Sequence, residues 1–199
     1  YYDGHLAGLA GPAKNIAAFA CYDRLMELLW TLRRASHQVM EVITSGTPTF
    51  RQAIEYGPFS NLDGAVHRVS PGTAIYHDLR SEREVEGIDL VPAALLFSRV
   101  ISNPAGDIAT CDAGSKSISA DAGDPCASVV GHPRCEPLAP SEEHLPIRHP
   151  VEERPARGKE LHLVPRNVCT TVNLAERAII VENGKVVERV DVAARAHDL

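Results

Sequence analysis

The fold turns on one stretch, Val39-Met40-Glu41-Val42-Ile43-Thr44-Ser45-Gly46-Thr47-Pro48-Thr49-Phe50. Its apolar start reads as a short strand over residues 39–44. Ser45-Gly46-Thr47-Pro48 breaks that strand, and a short helix is expected over 50–56. The same order then returns, with a strand over 66–70, a loop at Pro71-Gly72-Thr73 and a helix over 74–83. Strand, glycine loop and helix in alternation are the pattern of βα units in a parallel sheet or barrel. A (β/α)₈ barrel takes about 250 residues, so residues 1–88 read as the last part of one.

Working outward, Gly11-Pro12 precedes a long helix expected over 13–34. Ile16, Phe19, Tyr22, Met26 and Leu29 are spaced there as a buried stripe. Downstream of about residue 88 the helical period fades, and β-rich runs follow at 93–102, 107–112, 127–130, 160–164 and 177–192. Residues 89–199 are therefore expected to form a mainly β domain. Its clearest element is a hairpin over 179–187, because Asn183-Gly184 tolerates the positive φ angles of a type I′ turn. The segment 133–155 carries six prolines and is predicted to be loop.

The 199-residue chain has a formal net charge of −6. That balance gives no electrostatic reason to bind nucleic acid or an anionic membrane, both of which need a basic face. Small metabolites are the expected ligands. No apolar run reaches the roughly 18 residues of a membrane span, and Tyr1-Tyr2-Asp3-Gly4-His5 lacks the features of a signal peptide, so a cytoplasmic setting is expected.

The two glycine loops fall where successive barrel strands would end, the face on which barrel enzymes build their sites. Ser45-Gly46-Thr47 and Pro71-Gly72-Thr73 each offer backbone N–H groups, a hydroxyl and a following helix start, which suits a phosphate dianion. His5 lies at what reads as the end of a preceding strand, on the same face. Asp112-Ala113-Gly114-Ser115-Lys116 and Asp121-Ala122-Gly123 set charges beside glycine turns, equally readable as turn chemistry. Five cysteines, an odd number without a CxxC pair, read as free thiols. Asn167-Val168-Cys169 reads as strand, with Asn167 and Cys169 on one face. A thiolate is a good zinc ligand and an amide oxygen a poor one.

Residues 1–5, 42–50, 66–78, 111–123, 141–144 (Ser-Glu-Glu-His) and 164–173 resemble, in this order, successive signatures of the D-threonine aldolase and D-serine dehydratase family. The resemblance implies the end of an alanine racemase-like (β/α)₈ barrel, residues 1–88, followed by a D-serine dehydratase-like β domain, residues 89–199. It implies pyridoxal phosphate, a divalent metal (zinc or manganese), a D-amino acid substrate and a homodimer. By the same resemblance Ser45, Gly46 and Thr47, with Gly72 and Thr73, hold the cofactor phosphate. His5 faces the substrate, and Asn167 and Cys169 occupy the metal-ligand positions.

The chain departs from the family's pattern twice. The metal motif resembles Pro-x-His-x-Cys or Pro-x-His-x-Asp, whereas here it reads Pro165-Arg166-Asn167-Val168-Cys169. The family's Schiff-base lysine belongs to the first barrel strand, upstream of Tyr1. The implied chemistry is a lyase reaction on a D-β-hydroxy-amino acid, either aldol cleavage or elimination of water. The alternative is an inactive fragment or decayed homologue serving as a folding or dimerisation module.

Overall fold

The computed structural model describes residues 1–85, 87, 89–120 and 123–196, apart from the side chain of Ala105. Asp121 and Ala122 of the second glycine-turn motif therefore lie outside the described residues. The chain forms two compact units, one of Tyr1–Ile75 with Ser81–Leu90 and the other of Tyr76–Arg80 with Val91–Leu199.

In the first unit, helix α1 (Gly11–Arg34) opens with Pro12 in its first turn, where the missing N–H costs nothing. Its buried face is Lys14, Ala18, Cys21, Tyr22, Met26 and Leu29. Ile16, expected in the stripe, is instead 72% exposed. It sits two residues from both Lys14 and Ala18, about 200° around the helix from that face. Strands β1 (Glu41–Thr44) and β2 (Val66–Val69) pair in parallel, with Thr44 opposite Val69. Helix α2 (Phe50–Glu55) follows the first loop.

The helix expected over 74–83 is divided. A 3₁₀ turn (Thr73–Ile75) comes first, and α3 (Leu79–Glu84) begins only after His77, whose φ is 56°. A left-handed residue cannot continue a right-handed helix, so the break follows from that dihedral.

The second unit is a six-stranded sheet of β3 (Leu96–Ala105), β4 (Ile108–Cys111), β5 (Ala127–Val129), β6 (Glu136–Pro137), β7 (Leu145–Arg148) and β8 (Glu160–Pro165). The strand order is β5-β8-β3-β4-β7-β6, with every neighbouring pair antiparallel. The outer strands β5 and β6 approach each other, so the sheet nearly closes into a barrel. Its core includes Val100, Ile118, Leu145, Ile147, Leu161 and Leu163.

Strands β6 and β7 correct the loop reading of 133–155. Leu145 and Ile147 alternate inward and are fully buried, while Pro146 between them sits opposite Thr110 and accepts the Leu138 N–H through its carbonyl at 2.8 Å. The alternation of two aliphatic side chains outweighs the proline content around it. The predicted hairpin is present as β9 (Arg177–Glu182) and β10 (Lys185–Asp191), with Asn183 and Gly184 at φ 51° and 75°. Among the described residues no helix is long and apolar enough to cross a membrane.

Candidate functional site

The first unit is organised around the Asp3 carboxylate, which is fully buried. Tyr22 and Ser45 donate hydroxyl hydrogen bonds to Oδ2 at 2.6 and 3.0 Å, and Thr49 donates to Oδ1. A buried carboxylate needs such donors to offset the loss of water. Burial and the Asp3 charge push the Tyr22 hydroxyl well above the usual phenol range, so it stays a donor. Sequence reasoning missed this cluster because the partners lie on three separate segments. The mix of an acid and hydroxyls in otherwise apolar stretches was its only signal.

Both glycine loops leave the same end of the parallel pair β1–β2. The Ala74 N–H donates to the Thr47 hydroxyl at 3.2 Å, and the Ser70 N–H reaches the Ser45 carbonyl at 3.1 Å. Ser45 itself is buried at φ 61° with its hydroxyl on Asp3. The Tyr2 ring lies over Gly46, where an added Cβ would meet it at 2.8 Å. Gly72 faces open space, and the Thr73 hydroxyl accepts from Ser81 at 3.0 Å. His5 is exposed in a 3₁₀ turn (Gly4–Leu6), with Nε2 4.0 Å from the Cys21 sulfur. Lys14, Thr47 and Arg51 line a cavity of about 120 Å³, smaller than the roughly 300 Å³ at which ligand pockets begin.

In the second unit the strand expected at Asn167-Val168-Cys169 is instead the start of helix α4 (Val168–Leu174). Asn167 is its N-cap, and its side-chain oxygen accepts the Cys169 N–H at 3.1 Å. Asparagine satisfies a free helix N–H well in this position, which turns the chain into a helix. The buried Asp78 carboxylate accepts the Val168 N–H at 2.9 Å, a second acceptor at the positive end of α4 that sequence reasoning missed. Cys169 is exposed, and burial of its sulfur followed by the Asp78 charge raises its thiol above the ordinary range. Cys169, Thr170, Ser115 and Ser119 border a cavity of about 610 Å³.

Two of the sequence motifs meet in this unit. The Ser115 and Lys116 N–H groups donate to the Ser141 and Glu142 carbonyls, and the Lys116 amine pairs with Glu142 and Glu143. A Cβ on Gly114 would fall 2.2 Å from the Glu142 carbonyl oxygen, so the glycine is required for this contact. Asp112 accepts from the Ser98 hydroxyl and the Arg99 N–H, both at 2.8 Å.

A family described as "Putative serine dehydratase domain" matches residues 93–181. A D-threonine aldolase of Arthrobacter sp is 35% identical over 101 residues, covering 50% of this chain and 26% of that protein. Over these residues the chain is similar to the D-threonine aldolase and D-serine dehydratase-like family.

The crystal structure of D-threonine aldolase from Filomicrobium marinum is 23% identical and superposes with a TM-score of 0.86, over 98% of this chain and 52% of that one. D-threo-3-hydroxyaspartate dehydratase from Delftia sp. HT23 is 20% identical with a TM-score of 0.75, over 100% of this chain and 55% of that one. At these identities the likeness is one of fold. It establishes a mixed α/β part followed by a mainly β, nearly closed barrel, matching the C-terminal half of D-threonine aldolase structures. The chain spans about a quarter of the curated relative's length and about half of the solved structures'. A cysteine variant of D-threo-3-hydroxyaspartate dehydratase, 20% identical with a TM-score of 0.77, was solved in a metal-free form.

The residues present fit the two family groups unequally. For a phosphate, Gly72 and Thr73 offer an open backbone corner, while Ser45 and Gly46 are already taken up by Asp3 and Tyr2. The Lys14 amine donates to the Glu84 carbonyl at 2.6 Å, and Lys116 pairs with Glu142 and Glu143. At the metal-motif positions the donor set does not fit a zinc ion. One member is an amide oxygen committed to a helix cap, which leaves the exposed Cys169 thiol as the single good zinc donor there.

Proposed function

We propose that this chain is the C-terminal part of a pyridoxal phosphate-dependent lyase acting on D-β-hydroxy-amino acids. The observation that carries this is the 35% identity to a D-threonine aldolase over 101 residues. The fold likeness to D-threonine aldolase and D-threo-3-hydroxyaspartate dehydratase structures agrees with it. Residues 1–88 act as the last part of the cofactor barrel, and residues 89–199 as the β domain.

In this reading Gly72, Thr73 and Thr47 hold the cofactor phosphate through backbone N–H groups and hydroxyls, with Ser45 and Gly46 shaping the loop beside them. The cofactor, when bound, supplies an electron sink for the bond broken at the substrate's α-carbon. His5 takes the proton of the β-hydroxyl, the general-base role that an imidazole most often fills. The Schiff-base lysine is supplied outside these 199 residues, and two copies of the protein assemble into the working dimer.

The second reading, an inactive folding or dimerisation module, is favoured by the capping role of Asn167. The test is to express the open reading frame that contains this chain, supply pyridoxal phosphate, and follow D-threonine for glycine and aldehyde or for a keto acid and ammonia. Release of either product set, abolished by Gly72→Val, supports the lyase. Cofactor-loaded protein inert toward D-threonine, D-serine and D-threo-3-hydroxyaspartate would instead support the module. Asn167→His separates them further, since in the lyase it raises zinc affinity and turnover, whereas in the module it only weakens the cap of α4.

A further inference from the structure

Away from the metal-motif positions, a second set of donors converges in the β unit. The turn after β5 carries His132-Pro133-Arg134-Cys135, and the 3₁₀ turn Val151–Glu153 brings Glu153 beside it. One ligand atom from each of His132, Cys135 and Glu153 lies within 4.8 Å of the other two. Among the described residues this is the group of three His, Cys, Asp or Glu side chains close enough to share an ion. We propose that His132, Cys135 and Glu153 form a zinc site that ties the turn after β5 to the segment after β7.

Donor chemistry supports this choice of ion. Imidazole nitrogen, thiolate sulfur and carboxylate oxygen are the three protein ligand types zinc accepts, at about 2.0–2.3 Å each. A tetrahedral ion at those bond lengths needs its ligand atoms about 3.3–3.8 Å apart. The three side chains therefore need to close by no more than about 1.5 Å, a rotamer-scale adjustment for half-buried groups. Three protein ligands leave the fourth position to water, which partial exposure of the cluster allows.

Both segments hold their shape through their own bonds. The His132 N–H donates to the Val129 carbonyl at 3.1 Å, the Cys135 N–H to the His132 carbonyl at 3.0 Å, and the Val130 N–H to the His162 carbonyl of β8 at 2.9 Å. On the other side the Glu153 N–H donates to the Pro150 carbonyl at 2.9 Å. Arg134 bonds Glu153 through Nε and a terminal nitrogen, both on Oε1, and pairs with Glu152 at 2.9 Å. Its guanidinium orients the Glu153 carboxylate, as outer partners of metal ligands commonly do. The two glutamates outweigh its single positive charge, and a Cys135 thiolate adds a further negative one. Cys135 also packs against the barrel core, so the ion would brace the sheet at this edge.

The site does not depend on the proposed lyase activity, and its test uses metal alone. The full chain, stripped of metal, is titrated with Co²⁺ and then with Zn²⁺. The expected result is a tetrahedral cobalt spectrum with a thiolate-to-cobalt charge-transfer band, discharged by one equivalent of zinc. Cys135→Ser removes the band. His132→Gln and Glu153→Gln each weaken zinc binding by at least the roughly 10–100-fold that losing an outer partner costs, and Cys169→Ser leaves the band intact. If Cys135→Ser fails to fold, His132→Gln, on a partly exposed residue, carries the test through affinity. A band lost in Cys169→Ser and kept in Cys135→Ser, unchanged zinc affinity in both Gln variants, or no cobalt–thiolate band at all would overturn the proposal.

Discussion

The two units are held together by different chemistry. The first is centred on a buried acid, Asp3, with Tyr22, Ser45 and Thr49 turned toward it from α1 and from the first glycine loop. The second is centred on interleaved aliphatic side chains, with Leu145, Ile147 and Leu163 almost wholly inaccessible. A hydrogen-bonded charge fixes geometry, because each donor has one productive direction, whereas an aliphatic core rewards volume and tolerates small rotations. The polar arrangement lies under the first glycine loop, which is proposed to bind phosphate. The apolar one builds the sheet that carries the loops of the β unit.

The largest expected effect tests the apolar side. Leu145→Ala removes a fully buried side chain from the centre of the sheet and should cost about 2–5 kcal/mol. Far-UV circular dichroism during denaturation measures it. The only tryptophan, Trp30, lies in α1 and reports the first unit separately. Equal shifts of both signals would break the comparison, because the units would then unfold as one.

Tyr22→Phe tests the polar side. It deletes the 2.6 Å hydrogen bond to Asp3 while keeping the ring that packs against Tyr56 and Phe59. The expected loss is about 1.5–3 kcal/mol, the range for a hydrogen bond to a charged group, read from the Trp30 transition. No change would mean that the carboxylate finds a replacement donor and that the polar centre is not what holds this unit.

A smaller effect sharpens the reading of the β unit. Asn167→Ala removes the cap of α4, and a loss of about 0.5–2 kcal/mol is expected in the circular dichroism transition. No loss of stability would return Asn167 to the status of a vestigial metal ligand. The smallest effect belongs to the surface. Glu160→Gln breaks a half-exposed pair with Arg99 across β3 and β8, and under about 1 kcal/mol should follow. A larger loss would show that surface charge, as well as the aliphatic core, secures the sheet.

Much of this architecture is legible because it rests on local rules. Asn183-Gly184 specifies a tight hairpin since both residues tolerate positive φ, and both adopt it. The repeated strand and glycine loop around Ser45 and Pro71 announces a parallel pair, and β1 and β2 form one. Strand β7 was hidden because six prolines masked a short alternation that gains its energy from the strands on either side.

By itself, then, the sequence determined the parallel βα pair, the Asn183-Gly184 hairpin, the change from α/β to mainly β character, and the family signatures. These follow from periodicity, turn chemistry and spacing along the chain. Only the tertiary structure decided what the polar side chains do. It gave Ser45 to Asp3, Asn167 to a helix cap, and His132, Cys135 and Glu153 to one another. The physical reason is that a side chain's role is set by which donors and acceptors come within about 3 Å of it. Such partners, 42 residues apart for Asp3 and Ser45, leave no periodic trace in the chain.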